Sequence, residues 1–137
     1  MPLGPLELYD MVGLDTAFYA GLVMANAIGD RIEASPVIPA LVKAGWLGRK
    51  TGAGFYSYKS TCHHAKIESV TEKLGDLIDP YRLAEQQMTD EQICDRLFLP
   101  MLLEALLVLD EGIVRDGCDV DLAVIHALGF PAFRGGV

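Results

Sequence analysis

From Gly45 to Tyr56 the chain reads G-W-L-G-R-K-T-G-A-G-F-Y, four glycines set among three aromatics in a sequence that otherwise keeps a helical period. A helix does not absorb that density of glycine, and an unstructured linker has no use for Trp46, Phe55 and Tyr56. The segment is therefore expected to be an ordered loop with a short extended tip, buried by its aromatics. Gly52 and Gly54 are its structural positions, supplying turn geometry that bulkier residues resist.

The flanks set the fold class. Leu6, Tyr9, Val12 and Leu14, followed by Phe18, Leu22, Ala25 and Ile28, recur at helical spacing and predict two short helices. Ser35-Pro36 predicts the start of a third, with Val37, Leu41 and Val42 as its apolar stripe and Gly45 as its stop. Lys59 to Ser69 is polar and without period, the best linker candidate, although Ile67 is a natural anchor. Weaker helices are expected over Val70–Ile78 and from Pro80 into Gln87.

Thr89-Asp90-Glu91-Gln92 is a capping-box sequence and opens a long helix whose stripe is Ile93, Leu97, Met101, Ala105 and Leu109, ending at Gly112. Pro100 falls in its middle and should bend it. Asp119 is expected to cap a last helix carrying Leu122, Ile125 and His126, which Gly129 and Pro131 terminate. The fold class is all-α. Residues 1–59 form a first helical part with the glycine-aromatic loop, 60–88 a linker with weak helices, and 89–137 a second helical part.

Composition narrows the function. With 137 residues and 51% hydrophobic content the chain has material for a core, and apolar surface beyond that points to another domain or subunit. Residues 60–137 hold fourteen acidic against six basic side chains. That balance repels a phosphate backbone and excludes nucleic acid as a partner. The odd set Cys62, Cys94 and Cys118, with no secretory signal pattern, reads as a reduced, cytoplasmic chain. Leu97 to Leu109 is too short and too interrupted for a transmembrane segment.

No segment carries G-x-G-x-x-G after a strand, and Gly48-Arg49-Lys50-Thr51-Gly52 lacks the spacing of a phosphate-binding P-loop. Two readings of Arg49 and Lys50 stay open, a structural loop and contact with a ligand phosphate. Cys62, His63 and His64 are adjacent in the linker and do not by themselves close a metal site. Glu104, among Met101, Leu102, Leu103 and Leu106, reads as a structurally paired carboxylate. No residue is assigned to catalysis, to cofactor binding or to metal.

Four ordered stretches carry a family resemblance: Gly4–Asp15, Leu41–Tyr58, Arg96–Val114 and Asp119–Gly136. Together they resemble the C-terminal helical region of the 3-hydroxyacyl-CoA dehydrogenase family, most of all the multifunctional alpha subunit of the fatty-acid oxidation complex. The resemblance implies a parent that oxidises the 3-hydroxyl of an acyl-CoA with NAD in beta-oxidation, using a histidine-glutamate pair in a preceding Rossmann domain. It also implies two tandem helical repeats, with this chain running from inside the first to inside the second.

Neither the catalytic pair nor the dinucleotide motif has a counterpart here. The chain is therefore expected to be inactive alone, to hold no cofactor, and to serve as the cleft-supporting and assembly side of the enzyme, with a homodimer among its partners. His126 stands where multifunctional relatives often carry a tyrosine near the acyl-CoA, and Arg134 lies toward the cleft edge. Those two are the substrate-cleft candidates. The alternative is a stand-alone oligomerisation or protein-interaction module.

Overall fold

A computed structural model of the chain describes residues 3–32, 34–59, 67–82 and 86–136. They fall into two compact units, Leu3–Ala84 and Glu85–Val137.

The N-terminal unit opens with α1 (Pro5–Val12) and α2 (Leu14–Ile28). Pro5 sits in the first turn, where its missing N–H leaves no helical bond unmade. Gly13 closes α1 by donating to the Tyr9 carbonyl at 2.9 Å and opens α2 by accepting from Ala17 at 3.0 Å. The two helices bend by 100° at this residue. α3 (Val37–Lys43) follows, with the Ser35 hydroxyl accepting the Val37 N–H at 3.3 Å.

The glycine-aromatic segment then makes a single 3-10 turn, Arg49–Thr51, which Gly52 closes in the left-handed region at φ 78°. β1 (Tyr56–Tyr58) leaves it and pairs antiparallel with β2 (Ile67–Val70). Tyr56 faces Val70, Ser57 faces Ser69 and Tyr58 faces Ile67, with a bulge between Ser57 and Tyr58. α4 (Leu74–Ile78) and a 3-10 turn at Asp79–Tyr81 complete the described part of the unit.

Its core is small. Leu14 and Leu41 are fully buried and Phe55 nearly so, with Val37, Val42, Trp46, Tyr56, Leu74 and Leu77 packed around them. The loop's aromatics thus supply a large part of the apolar volume that α2, α3 and α4 share. Each fully buried leucine contributes about 1.5–3 kcal/mol by leaving water.

The C-terminal unit holds α5 (Asp90–Asp110) and α6 (Gly117–Leu128). The capping box forms as its sequence predicts: the Thr89 hydroxyl accepts the Gln92 N–H at 3.3 Å and the Gln92 side-chain carbonyl accepts the Thr89 N–H at 3.0 Å. α5 continues through Pro100 as one helix, with Arg96 receiving no N–H from that ring. Gly112 donates to Leu109 and Ile113 to Val108, satisfying carbonyls of the last turn. Phe98 and Phe130 meet edge to face at 6.1 Å, and a 3-10 turn at Ala132–Arg134 follows Gly129, which ends α6 in the left-handed region. No residue of α5 is buried. Among the described residues no single helix is long and apolar enough to cross a membrane.

The chain is mostly helical, but all-α is corrected by the two-stranded sheet. An extended tip at Tyr56–Tyr58 carries backbone groups that need partners, and Ile67–Val70 supplies them from the stretch expected to be linker. Val70 and Thr71 are consequently used against the loop, the Thr71 N–H reaching the Phe55 carbonyl at 3.1 Å, and the next helix starts only at Leu74. Pro80 lies in the Asp79–Tyr81 turn rather than at a helix start, and residues 83–85 are outside the described residues. Asp116, not Asp119, caps α6: its carboxylate accepts the Cys118 and Asp119 N–H groups at 2.9 and 3.2 Å. Cys62, His63 and His64 lie outside the described residues.

Leu41→Ala is expected to destabilise the N-terminal unit by about 2–5 kcal/mol. Trp46, the chain's one tryptophan and a neighbour of this core, reports it by fluorescence in a urea titration. A loss below about 1 kcal/mol would place the core elsewhere.

Candidate functional site

The most constrained chemistry in the N-terminal unit is a carboxylate inside it. Asp10, on α1, is 1% exposed. Its two oxygens accept the Phe55 N–H at 3.0 Å, the Tyr56 N–H at 2.9 Å and the Tyr58 hydroxyl at 2.8 Å. A buried charge is tolerated only when it is well hydrogen-bonded, and three donors from one short stretch supply that. The carboxylate therefore fixes the tip of the loop and the first strand to α1.

That approach dictates the glycines. A Cβ on Gly54 would run into the Asp10 carboxylate and lie 2.8 Å from Gly48 Cα, and one on Gly48 would come 2.7 Å from Asp10 Cα. Neither position accepts a side chain without opening the loop. Gly48 also sits at φ 89°. Thr51 and Thr71 complete the frame, the Thr51 hydroxyl accepting the Leu47 N–H at 2.9 Å and the Thr71 hydroxyl donating to the Gly54 carbonyl at 2.8 Å.

Both loop cations pair with helix carboxylates. Arg49 pairs with Glu7 of α1 at 2.7 Å and lies over the Tyr58 ring at 5.5 Å, while Lys50 pairs with Asp15 of α2. A CoA phosphate at either residue would have to compete with a carboxylate already in place. The Lys50 hydrogen bond holds Asp15 below the usual carboxyl value. Burial, and then Asp10, push the Tyr58 hydroxyl well above its ordinary 10.0, against the opposing pull of Arg49.

The C-terminal unit carries a groove of about 720 Å³. Phe98, Leu99, Met101 and Leu102 of α5 form one wall and Phe130 and Pro131 the other, with Asp95 and Arg134 as its charged residues. Arg134 thus lines a concave surface of this unit. His126 is exposed on α6 and is not among the groove's lining residues. Glu104 is half-buried on α5. The groove does not fit a dinucleotide: its walls are apolar, and it has no glycine-rich turn between strand and helix to receive a pyrophosphate. Among the described residues no three His, Cys, Asp or Glu side chains gather to hold a metal.

Asp10, Gly48, Gly54, Phe55 and Tyr58 come together from two distant stretches of the chain. Residues 1–58 match the 3-hydroxyacyl-CoA dehydrogenase C-terminal domain. The clip between Asp10 and the loop lies wholly inside that matched stretch. Over nearly its whole length the chain aligns to fatty acid oxidation complex alpha subunits. That of Ectopseudomonas oleovorans is 34% identical over 137 residues, that of Pseudomonas paraeruginosa 36% over 138 and that of Pseudomonas putida 34% over 137. Each alignment takes in 98% of this chain and 19% of the relative, so the chain spans about a fifth of the length of these relatives.

Two residues that matter most here, Asp10 and Tyr58, escape a reading by period. Asp10 sits in the motif G-P-L-E-L-Y-D-M-V beside a second acidic residue, Glu7, and nothing in that local pattern singles it out as the buried acceptor.

Gly54→Ala is expected to cost at least about 3 kcal/mol, because the methyl collides with the Gly48 backbone and with the Asp10 carboxylate, which three hydrogen bonds hold in place. Chemical denaturation of the variant measures it. Tyr58 also sets a pH limit. Its folded hydroxyl pKa is raised above the unfolded value, so its contribution is complete below about pH 10 and declines as pH rises from there toward the folded value. Denaturation midpoints of the native chain should fall along that alkaline arm, and Tyr58→Phe should flatten the fall. An equal slope in the two proteins would contradict the assignment.

Proposed function

We propose that this chain is the helical side of an NAD-dependent 3-hydroxyacyl-CoA dehydrogenase of fatty-acid beta-oxidation, supporting the acyl-CoA cleft and offering an assembly surface. The observation that carries the reading is the Asp10 clip. It makes the glycine-aromatic loop a rigid wall within the stretch that matches the dehydrogenase C-terminal domain.

In this reading the Rossmann domain that holds NAD and the histidine-glutamate pair belong to another part of the enzyme. The chain then contributes shape and water exclusion rather than proton or hydride transfer. Arg134, which lines the groove of the C-terminal unit, is in this reading a substrate-cleft residue. His126 is the further cleft candidate on α6. Arg49 and Lys50 hold the loop to α1 and α2, which favours their structural reading over contact with CoA phosphate. The two units correspond in this proposal to parts of two successive helical repeats of a cytoplasmic enzyme.

Purified alone, the chain should show no calorimetric binding of NAD at micromolar concentration and no reduction of NAD when given a 3-hydroxyacyl thioester. Turnover by the chain unaided would overturn the reading, since the active centre would then lie within these residues. Extending the reading frame upstream provides the positive test. It should recover a strand followed by G-x-G-x-x-G and then the histidine-glutamate pair, and an unrelated upstream sequence would count against the assignment.

A further inference from the structure

After α6 the chain folds back along the helix it has just left. The Gly129 and Phe130 N–H groups both reach the Val124 carbonyl, the second at 3.4 Å, and the Phe130 ring meets Phe98 of α5 edge to face. Farther on, a side chain on Gly136 would run into the Asp121 carboxylate. Asp121 and Val124 are three positions apart on α6 and so share one of its faces. The segment from Phe130 to Gly136 is thus laid over that face and meets it at both ends.

Arg134 stands between those ends. It is the last residue of the 3-10 turn Ala132–Arg134, its N–H donating to the Pro131 carbonyl at 3.0 Å and the next N–H, that of Gly135, to the Ala132 carbonyl at 3.0 Å. Gly135 at φ 85° and Gly136 at φ 136° then carry the backbone through a region that side-chain-bearing residues avoid. Packing does not hold this turn, since Phe133, its one large apolar side chain, is 88% exposed.

We propose that Asp121 is a positioning residue: its carboxylate, seated against Gly136, holds the turn on α6 and so keeps Arg134 at the groove lined by Phe98, Met101 and Phe130. Arg134 is the one cation among the groove's lining residues, so the seat decides where the groove's positive charge stands. The device has the form of the Asp10 clip, a helix carboxylate occupying the space that a glycine leaves open, as at Gly54. That Arg134 serves a substrate cleft rests on the dehydrogenase reading, whereas its placement by Asp121 does not.

Backbone nitrogen relaxation on the full chain tests the seat. The Arg134 and Gly135 amides should have order parameters of about 0.8 in the native chain and fall below about 0.6 in Asp121→Ala. Gly136→Ala leaves α6 unchanged and puts a methyl where the carboxylate sits, so the same two amides should loosen as far. Asp121→Asn keeps the shape and one acceptor oxygen and should retain the native values. In all three variants the amides of Val124 to Ala127 and the contact between the Phe98 and Phe130 rings should stay as they are. Order at Arg134 and Gly135 that survives both Asp121→Ala and Gly136→Ala overturns the proposal. So does an asparagine variant as mobile as the alanine one, or a loss of order throughout α6, which would make Asp121 a general support of the helix. None of these readouts involves NAD or a thioester, so a failure here and a failure of the dehydrogenase reading are told apart.

Discussion

A single buried carboxylate organises the N-terminal unit. Asp10 takes three hydrogen bonds from residues 55, 56 and 58, and those bonds decide where the loop tip, the first strand and the paired second strand sit. Once Phe55 is fixed it completes the core with Leu14 and Leu41, so a polar contact determines the position of an apolar one. The requirement runs in both directions. Without the loop's donors the charge would be buried and unfilled, and without the charge two backbone N–H groups and a hydroxyl would lose their acceptor inside the unit. Outside this centre the same economy continues, with Arg49 and Lys50 binding the loop's 3-10 turn to carboxylates of the first two helices.

The two units differ in how much of their apolar surface they cover. In the N-terminal unit the loop folds back and supplies aromatics to the helices. In the C-terminal unit α5 is a long, well-capped helix of which no residue is buried, and its order rests on the capping box, the Phe98–Phe130 contact and local helical bonds. A surface of that character suits a role completed by contact, in keeping with the proposed function as one side of a cleft rather than a self-contained catalyst.

Much of the fold was legible because its signals are local. Thr89 and Gln92 specify a helix start between themselves, Pro5 and Ser35-Pro36 mark two others, and the glycine-aromatic run announces an ordered loop. What escaped depends on residues far apart. Nothing near Ile67 says that it will pair with Tyr58, because the need for a partner arises at the other strand. Asp10 looks like one more polar residue on a short helix until Gly48 and Gly54 are brought against it from about 40 positions away. Asp116 displaced Asp119 as cap for a smaller reason: the helix begins one residue after it, at Gly117, a position that carries no capping side chain of its own. At the candidate cleft, the sequence brought Arg134 into view, whereas the groove beside it follows from how Phe130 meets Phe98.

The central claim is that the Asp10 carboxylate, and not the apolar packing of Phe55, holds the loop in place. Amide hydrogen exchange at Phe55 and Tyr56 reads that bond directly, because their N–H groups donate to it. In the native chain both amides should be among the slowest in the loop. In Asp10→Ala they should exchange at least about a hundredfold faster, as expected when bonds to a charged acceptor are lost, while the amides within α2 change far less. Protection at Phe55 and Tyr56 that survives the substitution would contradict the account and assign the loop's order to its aromatics alone.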